Sequence, residues 1–232
     1  MANVRSLELD RSQLATRSFV CGVYAWMCFG LGLTAAVAML VATTPTLVEA
    51  IVMNRGLFFG LIIGELLLVM ALSWGIGRVS APVAIGMFLL YAGINGLTLS
   101  VIFLAYTTAS IGSTFFVTAG TFGAMSVYGY FTKRDLTSLG NICFMALIGL
   151  IIASVVNIFM GSAMLYWVTT YLGVGVFVGL TAYDTQKIKR IGQSVDAASE
   201  VGRKAAILGA LALYLDFINL FLFLLRIFGR RR

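Results

Sequence analysis

Three acidic residues lie within, or at the edge of, long apolar runs of the sequence. Glu65 is in the middle of one run, Asp216 is near the middle of another, and Asp184 is close to the end of a third. An ionised carboxylate at the centre of a bilayer costs about 2.5–3.5 kcal/mol on insertion scales, so such residues usually face a bundle interior and mark a pathway or a switch. These three side chains are therefore the first candidates for function.

Carboxyl groups that are buried together have a specific chemistry, because neighbouring like charges make a pair share one proton. A shared proton makes a pH-sensitive latch, and carboxylate oxygens are also the ligands that calcium prefers. Each acid has a structural alternative as well. Asp184 can be an interfacial residue paired with Lys187 one turn on, and Glu65 can be neutral and hydrogen-bonded to a neighbouring helix. Asp216 has no basic residue within a turn and is followed by Asn219 at i+3, so its structural alternative is the weakest.

The composition indicates an all-α integral membrane protein. Of the 232 residues, 60% are hydrophobic and 11% are charged, against roughly 25% charged in an ordinary soluble domain. A soluble domain of this size cannot hide so much apolar surface. Soluble enzymes, nucleic-acid-binding modules and disordered chains are excluded, and the net charge of +7 is better explained by the inner loops of a membrane protein than by nucleic acid.

Seven apolar runs are long enough to cross a membrane, which takes about 20 residues. We predict seven transmembrane helices in one domain over 19–232, after an N-terminal tail at 1–18 and with loops of at most about 20 residues. Pro45 is expected in the first loop, and Ser80 is expected to cap a helix that tolerates Pro82 in its first turn. The runs lie at roughly 19–41, 51–74, 80–104, 107–131, 141–160, 164–184 and 205–228.

The fourth run is rich in hydroxyl and glycine residues. Small residues allow close helix packing and hydroxyls bond across helices, which favours a packing role. A pore-lining role is the alternative.

The distribution of Lys and Arg predicts a cytoplasmic N-terminus. With that orientation eleven basic residues lie inside and only Arg55 lies in an outer loop. Four further arginines near the C-terminus would lie outside after seven full spans, so either a short basic tail crosses late or the last segment does not fully cross. The eleven inner residues are Arg5, Arg11, Arg17, Arg78, Lys133, Arg134, Lys187, Lys189, Arg190, Arg203 and Lys204.

Several chemistries are absent from the sequence. It contains no histidine, the commonest general base and metal ligand. Its three cysteines, Cys21, Cys28 and Cys143, show no CxxC spacing and are predicted to be small buried apolar residues.

Several motifs resemble those of one membrane protein family. They are TAYDTQKIK at 181–189, LYLDFINLF at 213–221, GAMSVYGY at 123–130 and TKRDL at 132–136. Together they resemble the Bax inhibitor family, also called the transmembrane Bax inhibitor motif family, over nearly the whole chain from the first span. The short tails fit its bacterial branch, which implies a bacterial inner membrane.

The resemblance implies a fold and a site. Six helices would surround a central, very apolar seventh, and the protein would be a pH-sensitive calcium leak channel without enzymatic activity or a resident cofactor. Carried over by position, Asp184 and Asp216 would form the pH sensor and make transient contact with calcium. Arg78 would latch onto Asp184, by placement rather than by a matching motif. Glu65 lies where some members carry an acid, and we include Glu65 and Asn219 as accessory pore residues.

Other functions stay open at this stage. Some bacterial members of the family bind a membrane-embedded AAA protease, so the protein can instead be a regulator without transport of its own. A proton-coupled transporter is a further alternative, although no internal repeat is visible. An intramembrane aspartyl protease would also place acids on spans six and seven, but the sequence before Asp216 is not Gly-x-Gly, and no proline follows Pro82.

Overall fold

The computed structural model describes the backbone of residues 2–232 and the side chains of residues 13–44, 46–51 and 54–232. The described chain consists of helices joined by short turns and loops, with one isolated antiparallel bridge between Tyr106 and Arg231. Its helices, in order, are α1 Ala2–Ala42, α2 Pro45–Met53, α3 Arg55–Gly75, α4 Ala81–Leu99, α5 Ile102–Ala105, α6 Thr108–Phe131, α7 Thr137–Met160, α8 Ala163–Ser194 and α9 Glu200–Phe228. The side chains of Arg5 and Arg11, used in the charge count, lie outside the described residues.

Six helices in the described part of the chain are long and apolar enough to cross a membrane, which makes this an integral membrane helical protein. They correspond to six of the seven predicted runs. The remaining run forms α6, whose 24 residues are long enough, but its hydroxyl and glycine residues lower its hydropathy. The count of seven spans therefore stays a prediction.

The polar ends of two helices extend further than the apolar runs predicted. α8 continues to Ser194, ten residues past the predicted limit, and α9 already begins at Glu200. The predicted runs at 164–184 and 205–228 left about 20 residues between them as a loop. That prediction is wrong, because only residues 195–199 lie between these helices. Hydropathy marks the part of a helix that lies in lipid, whereas helical hydrogen bonding continues into water wherever no residue interrupts it.

Two prolines begin helices. Pro45, predicted in the first loop, is instead the first residue of α2, because a fixed φ and a missing N–H are tolerated in a first turn. Ser80 is the N-cap residue of α4, as predicted, although its hydroxyl makes no capping bond to the helix. Gly161 ends α7 with φ of 61°, a left-handed conformation that favours glycine.

The prediction that all three cysteines are buried is wrong for two of them. Cys143 is buried, but Cys21 and Cys28 are exposed on α1. An apolar helix that faces lipid gains nothing by turning its small residues inward, so hydrophobicity alone did not decide their burial.

The chain divides into two compact units. The first consists of residues 1–105, 188–214 and 232, and the second of residues 106–187 and 215–231. In the first unit α1 packs closely on α4: a Cβ on Gly96 would lie 2.8 Å from both the carbonyl oxygen of Thr34 and Cβ of Val37. In the second unit, α6 and α7 contact α8, and α6 also contacts the C-terminal half of α9.

The last candidate span is the most buried of the six. In α9, 61% of the apolar window is buried, against 6% to 39% in the other five. The central position of this helix among six others stays a prediction. Large apolar side chains elsewhere, such as Trp74 and Phe159, are more than four-fifths exposed, as is typical of a lipid-facing surface.

Candidate functional site

The structure brings Asp184 and Asp216 together in the second unit. Asp216, on α9, is 4% exposed, and Asp184, on α8, is half-buried. The two carboxyl groups lie close enough to interact electrostatically. Because two ionised carboxylates have no hydrogen to donate, a hydrogen bond between them would require a proton on one of them.

The surroundings of the pair are mostly apolar. The Oδ2 atom of Asp216 is buried and has no hydrogen-bond partner within the described chain. Cys143 interacts electrostatically with Asp216 from α7. Lys187, three residues after Asp184, acts on that carboxyl through its charge, and its Nζ atom lies 5.9 Å from the centre of the Tyr183 ring. The structural alternative for Asp184, an interaction with Lys187, therefore coexists with its interaction with Asp216.

Two glycines hold α8 next to Asp184. Gly129 on α6 lies directly against the backbone of Ala182. At Gly140 on α7, a Cβ would lie 2.5 Å from the ring of Tyr183. A larger residue at Gly129 would meet the backbone of α8, and one at Gly140 would meet the Tyr183 ring, so these two close approaches restrict the position of α8 around Asp184.

Gln186 is a further positioning residue that the sequence reasoning missed. Its Oε1 atom accepts a hydrogen bond from the backbone N–H of Leu136 at 2.9 Å, and its Nε2 atom donates to the carbonyl oxygen of Arg134 at 2.8 Å. The side chain thus ties α8 to the loop before α7, two residues after Asp184. A neutral polar residue at the end of an apolar run gave no signal for this role.

Aromatic rings pack beside the acid on α9. Phe217, the next residue after Asp216, contacts the rings of Phe115 and Phe122 on α6, with centroids 5.4 Å away in each case. Phe115 also contacts Phe221. These rings place α6 against the segment that carries Asp216.

Several polar residues of α6 form a buried stripe, whereas Ser113 is exposed. Thr114 and Thr118 are fully buried, and Ser126 is 8% exposed. The Thr118 hydroxyl donates to the carbonyl oxygen of Thr114 at 2.8 Å, while the hydroxyl oxygens of Thr114 and Ser126 have no partner in the described part of the chain. The stripe faces the protein rather than lipid. Both the packing role and the pore-lining role require this orientation, so the burial of the stripe is consistent with either role.

Glu65 makes the interhelical hydrogen bond that its structural alternative predicted. It is half-buried on α3, and its Oε1 atom accepts a hydrogen bond of 2.7 Å from the Thr98 hydroxyl on α4. Both residues belong to the first unit.

Asn219 is satisfied within its own helix. Its Nδ2 atom donates to the carbonyl oxygen of Leu215 at 2.8 Å. The residue lines a groove of about 270 Å³ that is otherwise mostly apolar, with Phe177 and Phe223 among its walls. A role for Asn219 in ion passage stays a prediction.

Arg78 lies beyond the end of α3, in the turn before α4. Its side chain is exposed, and its backbone N–H donates to the carbonyl oxygen of Gly75 at 2.9 Å. Arg78 belongs to the first unit and Asp184 to the second. The latch between them stays a prediction.

The acidic pair provides only two carboxyl groups as possible ligands for a metal ion. In the described part of the chain, no group of three or more Cys, Asp or Glu side chains is placed to hold a metal ion. The calcium contact expected of Asp184 and Asp216 therefore involves two carboxyl groups.

Comparison with known proteins identifies the family. Residues 16–232 match the family model described as "Inhibitor of apoptosis-promoting Bax1". The chain is 54% identical to "Inner membrane protein YbhL" of Escherichia coli strain K12 over 98% of both chains. It is also 43% identical to a protein of Borreliella burgdorferi over 94% of both chains, and 44% identical to a protein of Deinococcus radiodurans over 93% of this chain and 91% of that one. Because the family model covers nearly all the residues that form the helices and the carboxyl pair, the chain belongs to the Bax inhibitor (transmembrane Bax inhibitor motif) family of integral membrane proteins.

Proposed function

We propose that this protein is a pH-sensitive cation leak channel, with calcium as a permeant ion, that is gated by Asp184 and Asp216. The observation that carries the proposal is the close approach of these carboxyl groups, one of which is almost fully buried on the most buried candidate span. An ionised acid at such a position has a high free-energy cost, so acids inside membrane spans usually have a function. The relative named as an inner membrane protein supports the same location for this chain.

Gating would follow from the protonation of the pair. With one shared proton the two carboxyl groups would hold α8 and α9 together by a hydrogen bond. A second proton would remove the remaining negative charge, and with it any attraction of Asp184 for a cation, including the predicted latch to Arg78. Acidification would therefore release a closed state and raise the leak.

The finer architecture belongs to the same proposal. We take α6 as the span that brings the total to seven. In this arrangement six spans surround α9, and the N-terminus lies in the cytoplasm. The buried hydroxyl stripe of α6 can then line part of a path for ions. In this proposal the protein is a channel and not an enzyme.

Flux measurements on the purified protein test this proposal. The protein is reconstituted into liposomes loaded with a calcium-sensitive dye, and calcium entry is followed at stepped pH values against protein-free liposomes. Calcium entry that rises on acidification is the expected result. Absence of flux at every pH would overturn the proposal. Absence of flux together with a co-purifying membrane protease would favour a regulator, whereas flux only with an opposing proton gradient would favour a proton-coupled transporter.

Replacing Arg78 with Ala is expected to raise the leak at neutral pH and to shrink the additional flux gained on acidification. The planar guanidinium group suits a carboxylate partner, so its removal would leave the closed state without its latch. The measurement is the same flux assay at equal protein incorporation.

Two further variants separate this latch from simple anchoring at the membrane surface. Arg55→Ala removes an exposed arginine at the opposite end of α3 and should leave the pH profile unchanged. If Arg78 only contacts lipid headgroups, Arg78→Lys should match the wild type and Arg78→Ala should lower insertion alone. An unchanged neutral-pH leak in Arg78→Ala would rule out the latch.

A further inference from the structure

A second buried polar cluster lies in the first unit, around the hydroxyl group of Tyr214 on α9. Tyr214 is fully buried. Its hydroxyl oxygen lies 2.6 Å from the hydroxyl of Thr34 on α1 and 2.8 Å from the Nδ2 atom of Asn95 on α4. One phenol group therefore links three helices.

The directions of these hydrogen bonds follow from the donors available. The single hydrogen of the Thr34 hydroxyl is directed to a backbone carbonyl, that of Ala92 at 2.8 Å or of Gly30 at 3.0 Å. Tyr214 must then donate to Thr34, while it accepts from the amide of Asn95. The phenol is thus used as both donor and acceptor, and lipid offers no water to replace it.

The ring of Tyr214 is also fixed by packing. The rings of Phe88 and Tyr91 on α4 meet it edge to face, with centroids 5.9 Å and 5.6 Å away. At Gly30 on α1, a Cβ would lie 2.6 Å from the ring of Phe88 and 3.4 Å from that of Tyr214. Rotation or sliding of α9 at this level would break the hydrogen bonds and the ring contacts together.

We propose that Tyr214 is a positioning residue for the carboxyl pair, held by Asn95 and Thr34 so that α9 presents Asp216 at one rotation and depth. Asp216 follows two residues later in the same continuous helix, about 3 Å further along its axis. This proposal rests on the proposed function only where it concerns gating of flux by the pair. The effect of Tyr214 on proton sharing between Asp184 and Asp216 can be measured without any flux.

The titratable groups around this arrangement are few. Asp184 and Cys143 act on Asp216, and Lys187 acts on Asp184. Near Tyr214 the titratable groups are Tyr91 and Glu65. Glu65 is connected to the cluster through Thr98, whose hydroxyl donates to Glu65 and also lies 3.0 Å from the carbonyl oxygen of Asn95.

The test is an infrared titration of the buried carboxyl groups in the full-length protein reconstituted in lipid. The C=O stretch of the protonated carboxyls is followed against pH in the wild type and in Tyr214→Phe, which removes one oxygen and keeps the ring. A loosened α9 shares the proton less well, so the pH interval between the two ionisations of the pair should narrow by about half a pH unit or more. Flux, where present, should lose pH sensitivity in parallel.

Two further variants make the result decisive. Thr34→Val removes the acceptor of the Tyr214 hydroxyl with little change in shape and should narrow the interval in the same way, even if Tyr214→Phe does not fold. Tyr91→Phe removes a hydroxyl from the adjacent ring, which makes no hydrogen bond with the described residues, and should leave the interval unchanged. An unchanged interval in folded Tyr214→Phe or Thr34→Val would overturn the proposal. A wild type without flux would instead contradict the channel function, and the infrared interval would still decide the role of Tyr214.

Discussion

Replacing Asp216 with Asn is expected to remove most of the pH dependence of cation flux. A gate linked to one proton changes its open fraction by at most about tenfold per pH unit, and we expect less than roughly a twofold change per pH unit in the variant. Asparagine keeps the shape of the side chain and a hydrogen-bond donor for Asp184, but it has no proton to release. Calcium flux into liposomes at stepped pH values measures this directly.

Asp184→Asn should have the same effect, because two carboxyl groups that interact this closely are expected to titrate as one unit. Asp196→Asn is the matched control, since Asp196 is an exposed acid whose Oδ1 atom accepts a hydrogen bond from the backbone N–H of Ala198 at 3.0 Å. It should keep the wild-type profile. If both Asp184→Asn and Asp216→Asn also keep that profile, the pair is not the sensor.

Gly129→Ala is expected to destabilise the protein more than its single added methyl group suggests. The new Cβ would meet the backbone of Ala182, which cannot move aside as a flexible side chain could. Overpacking of this kind costs about 1–3 kcal/mol, which would lower the thermal unfolding midpoint by about 5 °C in a chain of this size. The measurement is the loss of monodisperse protein in detergent after heating.

Gly123→Ala is the control for this substitution on the same helix. No atom of a neighbouring element lies within 4 Å of the position of its added Cβ. Since alanine favours a helix over glycine by about 1 kcal/mol, this variant should be as stable as the wild type or more so. Equal unfolding midpoints for Gly129→Ala and the wild type would show that α8 does not need the close approach of Ala182.

The packing around Gly129 also bears on the carboxyl pair, because it holds the segment of α8 that carries Asp184. Ala182 and Tyr183 are pressed against glycines of α6 and α7, and Gln186 is hydrogen-bonded to the loop between them. Asp184 lies between these anchored positions. The position of Asp184 is therefore set by contacts that carry no charge.

The sequence alone determined that this is a helical membrane protein and which acids deserved study. Apolar runs of about 20 residues have few alternatives to a spanning helix, because backbone groups in lipid must be satisfied within the segment. The cost of a buried charge likewise singled out Glu65, Asp184 and Asp216 without any knowledge of contacts. The motifs around the last two acids then predicted the family that the comparisons confirm.

Only the tertiary structure decided which polar groups meet. Asp184 and Asp216 are 32 residues apart in the sequence, and hydropathy contains no term for the contact of one helix face with another. The same limit explains why the exposure of Cys21 and Cys28, the role of Gln186 and the hydrogen bonds of Tyr214 were not foreseen. Lipid and protein interior are equally apolar, so composition alone cannot tell a helix which face to bury; close approaches such as Gly129 on Ala182 and Gly140 on Tyr183 do so.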